Sequence, residues 1–432
     1  MPLLKVVEAN LLLKFSKVFH KIILGPFNRY WVRLMSFERW DKATRYGERL
    51  VKRFPKRIDY AHRLATCYKS LGNTELATNT LKKALDLNLN IKAIVGEMEK
   101  GFQSISFLES KYVFLGGEQN LGCIEHTIIV NGEEENYLTK ISTKWGLEKE
   151  KQFFRKIYNK FPVMRTLTPK LINMKEIKGM DASFITMERI NGTEPLLNRE
   201  NLEKVIHANN LISSIKLAEL RECCIETNLD RNFELICKNV KNHPICALHS
   251  FQSIHKESTN KQLFHLVYER MKKGKYSGAS FKIISRLEKA ILGYHLFNHL
   301  NLDIHYSLQH GDFNTHNMLM HEATGKLYII DWGNMMIGPT WVDLAGFFGQ
   351  SKMPFHVIYE DYLESSEASN NLEPIEEIFF IYTLIITWFI VFNQKEFEEL
   401  QDLYMLPAIE LLESIVMEKF GDHTYIDYGI SS

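Results

Sequence analysis

The stretch that decides the fold is His310-Gly311-Asp312-Phe313-Asn314-Thr315-His316-Asn317, followed further on by Ile330-Asp331-Trp332-Gly333. Between them, Met318–Met320 and Leu327–Ile330 read as the arms of a hairpin, with Glu322–Lys326 as its turn. A hairpin so placed brings three oxygen-bearing side chains near one point: carboxylates at 312 and 331 and an amide at 317. That set meets the needs of phosphoryl transfer from a nucleotide. One carboxylate orients and deprotonates an acceptor hydroxyl, while a second carboxylate and an amide oxygen hold magnesium against the phosphates. Magnesium takes hard oxygen ligands, which Asp331 and Asn317 provide. Singly, each residue has a plainer reading, since Asp312 can cap a turn, Asn317 can sit in a loop for its backbone preference and Asp331 can end a strand. Three together at these spacings, flanked by strands, favour the chemistry.

The pattern H-G-D-x-x-x-x-N followed by I-D-W resembles the aminoglycoside phosphotransferase/choline kinase family, which has a protein-kinase-like fold. Gly338-Pro339-Thr340-Trp341-Val342-Asp343-Leu344-Ala345 is similar to that family's G-P…D-L-A segment. The resemblance implies that Asp312 is the catalytic base and that Asn317 and Asp331 bind Mg2+, with ATP as donor. It implies that His310 and Asp343 support the loop rather than react. One departure is Asn334, which stands where relatives often carry an acid.

Upstream, Lys111–Leu115, a glycine-containing turn and the β-branched run Cys123–Val130 read as strands. Asn131-Gly132 is a two-residue hairpin signal leading to a third strand, Tyr137–Ser142. A helix comes next, and then strands near 170–177 and 183–190. Gly116, Gly117 and Gly122 free the backbone to approach phosphates, although the G-x-G-x-x-G spacing is absent. Strand alternation sets Lys140 on one face with Leu138 and Ser142, and the resemblance implies that it contacts the α- and β-phosphates. A kinase-like lobe needs a glutamate on the next helix to hold that lysine. Glu150 shares the apolar face of Leu147, Phe153 and Phe154, whereas Glu148 does not. The run ending Thr186-Met187-Glu188-Arg189-Ile190-Asn191-Gly192 looks like the family's inter-lobe hinge, where backbone groups near Glu188 and Ile190 would pair with adenine.

Only seven residues separate Asp331 from Pro339, so there is no long activation segment to serve as a peptide platform. A small hydroxyl-bearing acceptor is expected: an amino alcohol, an aminoglycoside, a sugar-like molecule or a glycan. Glu360, Asp361, Glu364, Glu376 and Glu377 have two readings, as attractors of an amine-bearing substrate or as a solvated helix face, and the second is preferred.

Residues 24–91 show a period of 34. Leu64, Ala65, Tyr68, Gly72, Ala77, Leu81 and Ala84 fall where a tetratricopeptide repeat places apolar and small residues, and Trp31, Leu34, Ala43, Leu50 and Pro55 occupy equivalent places in a first copy. The segment resembles that repeat family and serves as an anchor or as a groove for a protein partner. Ahead of it, Leu4, Val7, Leu11, Phe15, Val18 and Ile22 recur at helical steps among Lys14, Lys17 and Lys21. Packing on the repeats is preferred there over lying on a membrane surface.

Composition sets the outer bounds. The 432 residues are 45% hydrophobic, with 53 basic against 52 acidic side chains. The +1 net charge argues against a nucleic-acid partner, and the apolar content against disorder. Six cysteines without a C-x-x-C pair point to reduced thiols and cytoplasmic residence. The 15-residue apolar run 378–392 is short for a membrane span. The expected fold is α+β: a short α-helical tetratricopeptide-like hairpin array (1–104), a small sheet-rich kinase-like N-lobe (105–192) and a larger helical C-lobe holding the catalytic loop (193–432). The expected function is ATP- and magnesium-dependent transfer of the γ-phosphate to a hydroxyl. The alternative is a catalytically silent nucleotide-binding scaffold that uses its repeats to hold a protein.

Overall fold

The computed structural model describes residues 25–55, 57–88, 105–113, 120–130, 132–143, 147–176, 182–223, 251–360 and 373–421. The chain divides into two compact units, one formed by residues 1–147 and 171–189, the other by 148–170 and 190–432. Both helices and sheets are present, an α+β composition.

The first unit contains four consecutive helices, α1 (Gly25–Ser36), α2 (Trp40–Arg53), α3 (Ile58–Ser70) and α4 (Thr74–Asn88). In α2 the buried positions Ala43, Thr44, Gly47 and Leu50 form one stripe, with Asp41 in the first turn and Lys52 and Arg53 in the last, where each charge suits the helix dipole. Trp31, Leu34, Leu50, Tyr60 and Leu64 make one buried cluster. Ala61, Ala65, Ala77, Leu81 and Ala84 make a second, in which small side chains let α3 and α4 approach closely. Pro55 is exposed.

The same unit holds an antiparallel sheet of order β1-β2-β3-β5-β4, built from β1 (Ile105–Val113), β2 (Asn120–Val130), β3 (Glu133–Thr143), β4 (Leu171–Glu176) and β5 (Ala182–Glu188). Gly132 takes φ +86° at the β2–β3 turn. A polar chain crosses four strands on one face. Ser110 Oγ meets His126 Nδ1 at 2.9 Å, His126 Nε2 meets Thr139 Oγ1 at 2.9 Å, and Thr139 meets Thr186 Oγ1 at 2.8 Å. His126 is buried, and burial pushes its pKa down to about 4. Lys140 lies on the opposite face, level with Cys123 on β2 and Ile185 on β5.

The second unit opens with α5 (Glu148–Gln152), which widens into a π-turn over Phe153–Tyr158, and continues with α6 (Pro162–Leu167), β6 (Gly192–Thr193), α7 (Arg199–Ser213) and α8 (Leu217–Glu222). Next come α9 (Glu257–Gly274), α10 (Gly278–Gly293), α11 (Leu302–His305), β7 (Tyr306–Gln309), β8 (Met318–His321), β9 (Leu327–Ile329) and β10 (Met336–Pro339). The chain then runs through α12 (Val342–Gln350), α13 (Phe355–Ile358), α14 (Pro374–Val391) and α15 (Gln394–Phe420). The apolar run of the sequence is α14. It is long and apolar enough to cross a membrane, yet 78% of it is buried within the unit, packed on α12 and α15. Glu376 takes the N3 place in a capping box at its start, accepting from the Glu373 backbone N–H and from Thr340 Oγ1. Glu376 is thus occupied in capping α14. Glu360 is exposed, Glu377 is half-buried, and Asp361 and Glu364 lie outside the described residues.

The polar chain through His126 makes the stability of the first unit depend on pH. Above its unfolded pKa of about 6.5 the imidazole is neutral in both states. Between there and about 4 the unfolded chain binds a proton that the folded sheet refuses. Stability is therefore lost as pH falls through this window, by about 3 kcal/mol. Urea titrations of the full chain at pH 7, 5.5 and 4 check this: the slope against pH should flatten in His126→Gln.

Candidate active site

Two strand pairs bracket the site. β7 pairs antiparallel with β10 and β8 with β9, so the loop 310–317 and the loop 330–335 leave adjacent strands and meet. Gly311 takes φ +77°, and a Cβ there would stand 2.2 Å from the Asn334 carbonyl oxygen. Only glycine permits both the left-handed turn and this approach of the two loops.

The loop is anchored from beneath by Asp343, in the first turn of α12 and 1% exposed. Its carboxylate accepts the backbone N–H groups of His310 and, at 2.9 Å, of Gly311. Burial raises its pKa to about 6, against the lowering pull of His310 and of these two N–H bonds. His310 is fully buried and its Nε2 lies 2.9 Å from the Ile330 carbonyl oxygen, which makes Nε2 the protonated nitrogen and ties the two loops directly. It makes no hydrogen bond to the Asp312 carboxylate among the described residues.

Above this anchor, the Asp312 carboxylate is held by three side-chain amides. Asn314 Nδ2 donates to Oδ1 at 2.8 Å. Asn317 Nδ2 and Asn334 Nδ2 donate to Oδ2 at 3.1 and 3.4 Å. Asn317 Nδ2 also donates to the Asp312 carbonyl at 2.8 Å. With its nitrogen so engaged, the Asn317 amide turns its oxygen away from Asp312, where it can serve as a ligand. Asn334 is the residue whose part the sequence did not reveal. An acid at this place would face a second carboxylate across 3.4 Å, whereas the amide donates. Its only sequence signal is the departure from the family pattern.

Asp331 sits in the left-handed region, φ +61° and ψ +61°, at the start of the 3-10 turn Trp332–Asn334. Its side chain is exposed, with Oδ1 3.2 Å from where a Cβ on Gly333 would be, so the bare Gly333 leaves the carboxylate its room. The following Trp332 is buried between two rings. Phe153 stacks on it at 4.1 Å and 3°, and His310 meets it edge-on at 4.7 Å. Such ring pairs contribute about 0.5–1.5 kcal/mol each beyond the area they bury. The π-turn presents both Phe153 and Phe154 to the interior. At the rim, exposed His316 pairs through Nδ1 with Glu194 at 2.8 Å.

Of the candidate residues, the structure brings His310, Asp312 and Asn317 together, joined to the loop of Asp331 through Ile330. Glu150 is buried on α5 and Ile190 is buried in the same unit. Lys140, half-buried on β3, Glu188 at the end of β5 and Gly122, at φ +131° beside a bulge in β2, belong to the first unit. Gly116 and Gly117 lie outside the described residues. Among the described residues no group of three or more His, Cys, Asp or Glu side chains is arranged to hold a metal. The donor set that does fit is one carboxylate, Asp331, and one amide oxygen, Asn317. It suits Mg2+, an ion that takes one or two protein oxygens and completes its shell with phosphates and water.

The chain belongs to the phosphotransferase enzyme family, whose model matches residues 130–364. Curated protein sequences contain no match to it. Among solved structures it is similar to a spectinomycin phosphotransferase in complex with ADP and spectinomycin (13% identity, TM-score 0.39, covering 75% of this chain and 93% of that one). It is also similar to choline kinase from Streptococcus pneumoniae (14%, TM-score 0.35, 76% and 98%) and to Plasmodium vivax ethanolamine kinase (15%, TM-score 0.39, 79% and 91%).

Two results are expected for the site. Removing the anionic clamp in Asp343→Asn leaves one loop N–H facing an amide donor, and kcat should fall about a hundredfold, the cost of a misplaced catalytic group. In the unsubstituted protein the same clamp is lost as pH drops through about 6, where Asp343 takes up its proton, so kcat against pH should show an acid limb there. Second, Asn334→Ala should lower kcat about tenfold, the worth of one hydrogen bond to a charged group, with KM for the nucleotide unmoved. Asn334→Asp should cost more than Asn334→Ala in the same steady-state assay.

Proposed function

We propose that this protein is an ATP- and magnesium-dependent O-phosphotransferase that phosphorylates a hydroxyl of a small molecule. The observation that carries the reading is the Asp312 carboxylate, held by amides of both loops next to the outward oxygen of Asn317. In this reading Asp312 orients the acceptor hydroxyl and takes its proton. The acceptor oxygen forms a bond to the γ-phosphorus as the bond from that phosphorus to the β–γ bridging oxygen breaks, and ADP leaves with that electron pair. Mg2+, held by Asn317 and Asp331, would offset the phosphate charge. Lys140 is assigned to the donor's α- and β-phosphates, Glu150 to supporting that lysine, and the backbone at Glu188 and Ile190 to adenine.

The short path of the chain beyond Asp331 bears on the acceptor class. It passes through one 3-10 turn and enters β10 at Met336, so no extended segment is available to bind a peptide. An amino alcohol, an aminoglycoside or another sugar-like hydroxyl fits best, and ATP as donor goes with a cytoplasmic location. Helices α1–α4 are assigned as a pair of tetratricopeptide-like repeats.

The test is Asp312→Ala. It should bind ATP about as tightly as the unsubstituted chain and lose transfer by about a thousandfold or more. A screen of labelled ATP against pooled metabolites and glycans, with Asp312→Ala as blank, identifies the acceptor. Transfer at full rate by Asp312→Ala would remove Asp312 as the base. Magnesium-dependent ATP binding without transfer to any pool would favour the scaffold alternative.

A further inference from the structure

The near-zero net charge of the chain hides a steep division. Residues 25–88 carry fourteen Lys and Arg against six Asp and Glu, and residues 1–24 carry four Lys against one Glu, so the chain beyond residue 88 is net acidic. Within the described helices this excess is ordered. On α2, Lys42, Arg45, Arg49 and Lys52 recur at steps of three, four and three residues, which aligns them along one helix face opposite the buried stripe. All four are exposed, and none of them has a carboxylate within ion-pair distance among the described residues. The row is about 15 Å long at 1.5 Å per residue. Asp41 and Glu48 of the same helix lie to one side of the row, outside ion-pair distance of its four cations.

Aromatic side chains border it. Tyr30, 53% exposed, meets Tyr46 of α2 edge-on at 5.2 Å, and Tyr46 lies one turn from both Lys42 and Arg49. Phe37 is 63% exposed, with the Arg33 guanidinium 5.7 Å from its ring centre. Cations in a row beside exposed amphipathic and aromatic rings match the headgroup layer of a bilayer, where lysine and arginine meet anionic lipid and aromatic rings sit at the interface. The sequence immediately before α1 has the same character, with Leu4, Val7, Leu11, Phe15, Val18 and Ile22 at helical steps among lysines. We propose that the basic face of α2 binds the surface of an anionic phospholipid membrane, so that the phosphotransferase works at a lipid surface.

The experiment uses the full chain and co-sedimentation with vesicles of phosphatidylcholine containing 30% phosphatidylserine, against phosphatidylcholine alone, in about 0.1 and about 0.5 M salt. The unsubstituted chain should sediment with the anionic vesicles alone and be released by high salt. Each neutralised cation should weaken binding about fivefold, so a chain carrying Lys42→Gln, Arg45→Gln, Arg49→Gln and Lys52→Gln together should lose it by a few hundredfold. These four side chains are exposed, and an unchanged urea midpoint will show that the fold is kept. Failure of the unsubstituted chain to sediment would overturn the proposal. So would equal sedimentation of the quadruple variant, which would move binding away from α2. Tight binding of a short DNA duplex in place of the vesicles would assign the face to a different polyanion and overturn it as well.

Discussion

One buried anion underlies the site. The Asp343 carboxylate, nearly sealed from water, takes the backbone N–H groups of His310 and Gly311 on its two oxygens. Burying that charge is unfavourable, which its raised pKa records. It is offset by the two N–H bonds and by the position in the first turn of α12, where the helix dipole favours a negative charge; Gln309 Oε1, at the end of β7, accepts the backbone N–H of Asp343 and ties that turn to the strand. Because both contacts are to backbone, they set the path of the chain entering Asp312, whatever its side chains do. The left-handed turn at Gly311 and the close passage of the Asn334 carbonyl result from that path.

The rest of the second unit keeps this arrangement rigid. Helix α14, apolar on all sides and enclosed, packs directly on α12 and so immobilises the helix that carries Asp343. From the other side, the column Phe153–Trp332–His310 joins α5 and its π-turn to both loops. A change in the packing of the π-turn therefore reaches Asp331 through one intervening ring, without passing through any solvent-exposed element.

The parts of this design that were legible in the sequence are those whose cause is local. The spacing from His310 to Asn317 and the I-D-W triplet mark the two loops that the structure brings together, and the alternation of Tyr137–Ser142 placed Lys140 on its face of β3. The burial of Glu150 followed from helical period. The hidden parts depend on contacts distant in sequence. Asn334 lies 22 residues from Asp312, so its amide reads as a family departure until the loops are closed. The π-turn at 153–158 departs from the 3.6-residue period over only six residues, too few to shift the apolar pattern of Phe153, Phe154 and Ile157. The chain of Ser110, His126, Thr139 and Thr186 uses one residue from each of four strands, and no single strand shows it. Glu376 looked like surface acid because a cap is defined by its partner backbone, which composition does not display.

The crowding of amides on Asp312 limits what can approach it. A carboxylate offers about four lone-pair directions, and Asn314, Asn317 and Asn334 occupy three of them. The direction left open lies on Oδ1. A newcomer hydroxyl must take that one place or displace an amide. A water molecule, fixed by nothing else, competes poorly for it, whereas an acceptor gripped elsewhere along its length brings its hydroxyl there with its entropy already lost. The same hydrogen bonds that hold Asp312 still thus leave one directed place on Oδ1, which favours a hydroxyl brought to it already oriented over a loose water molecule.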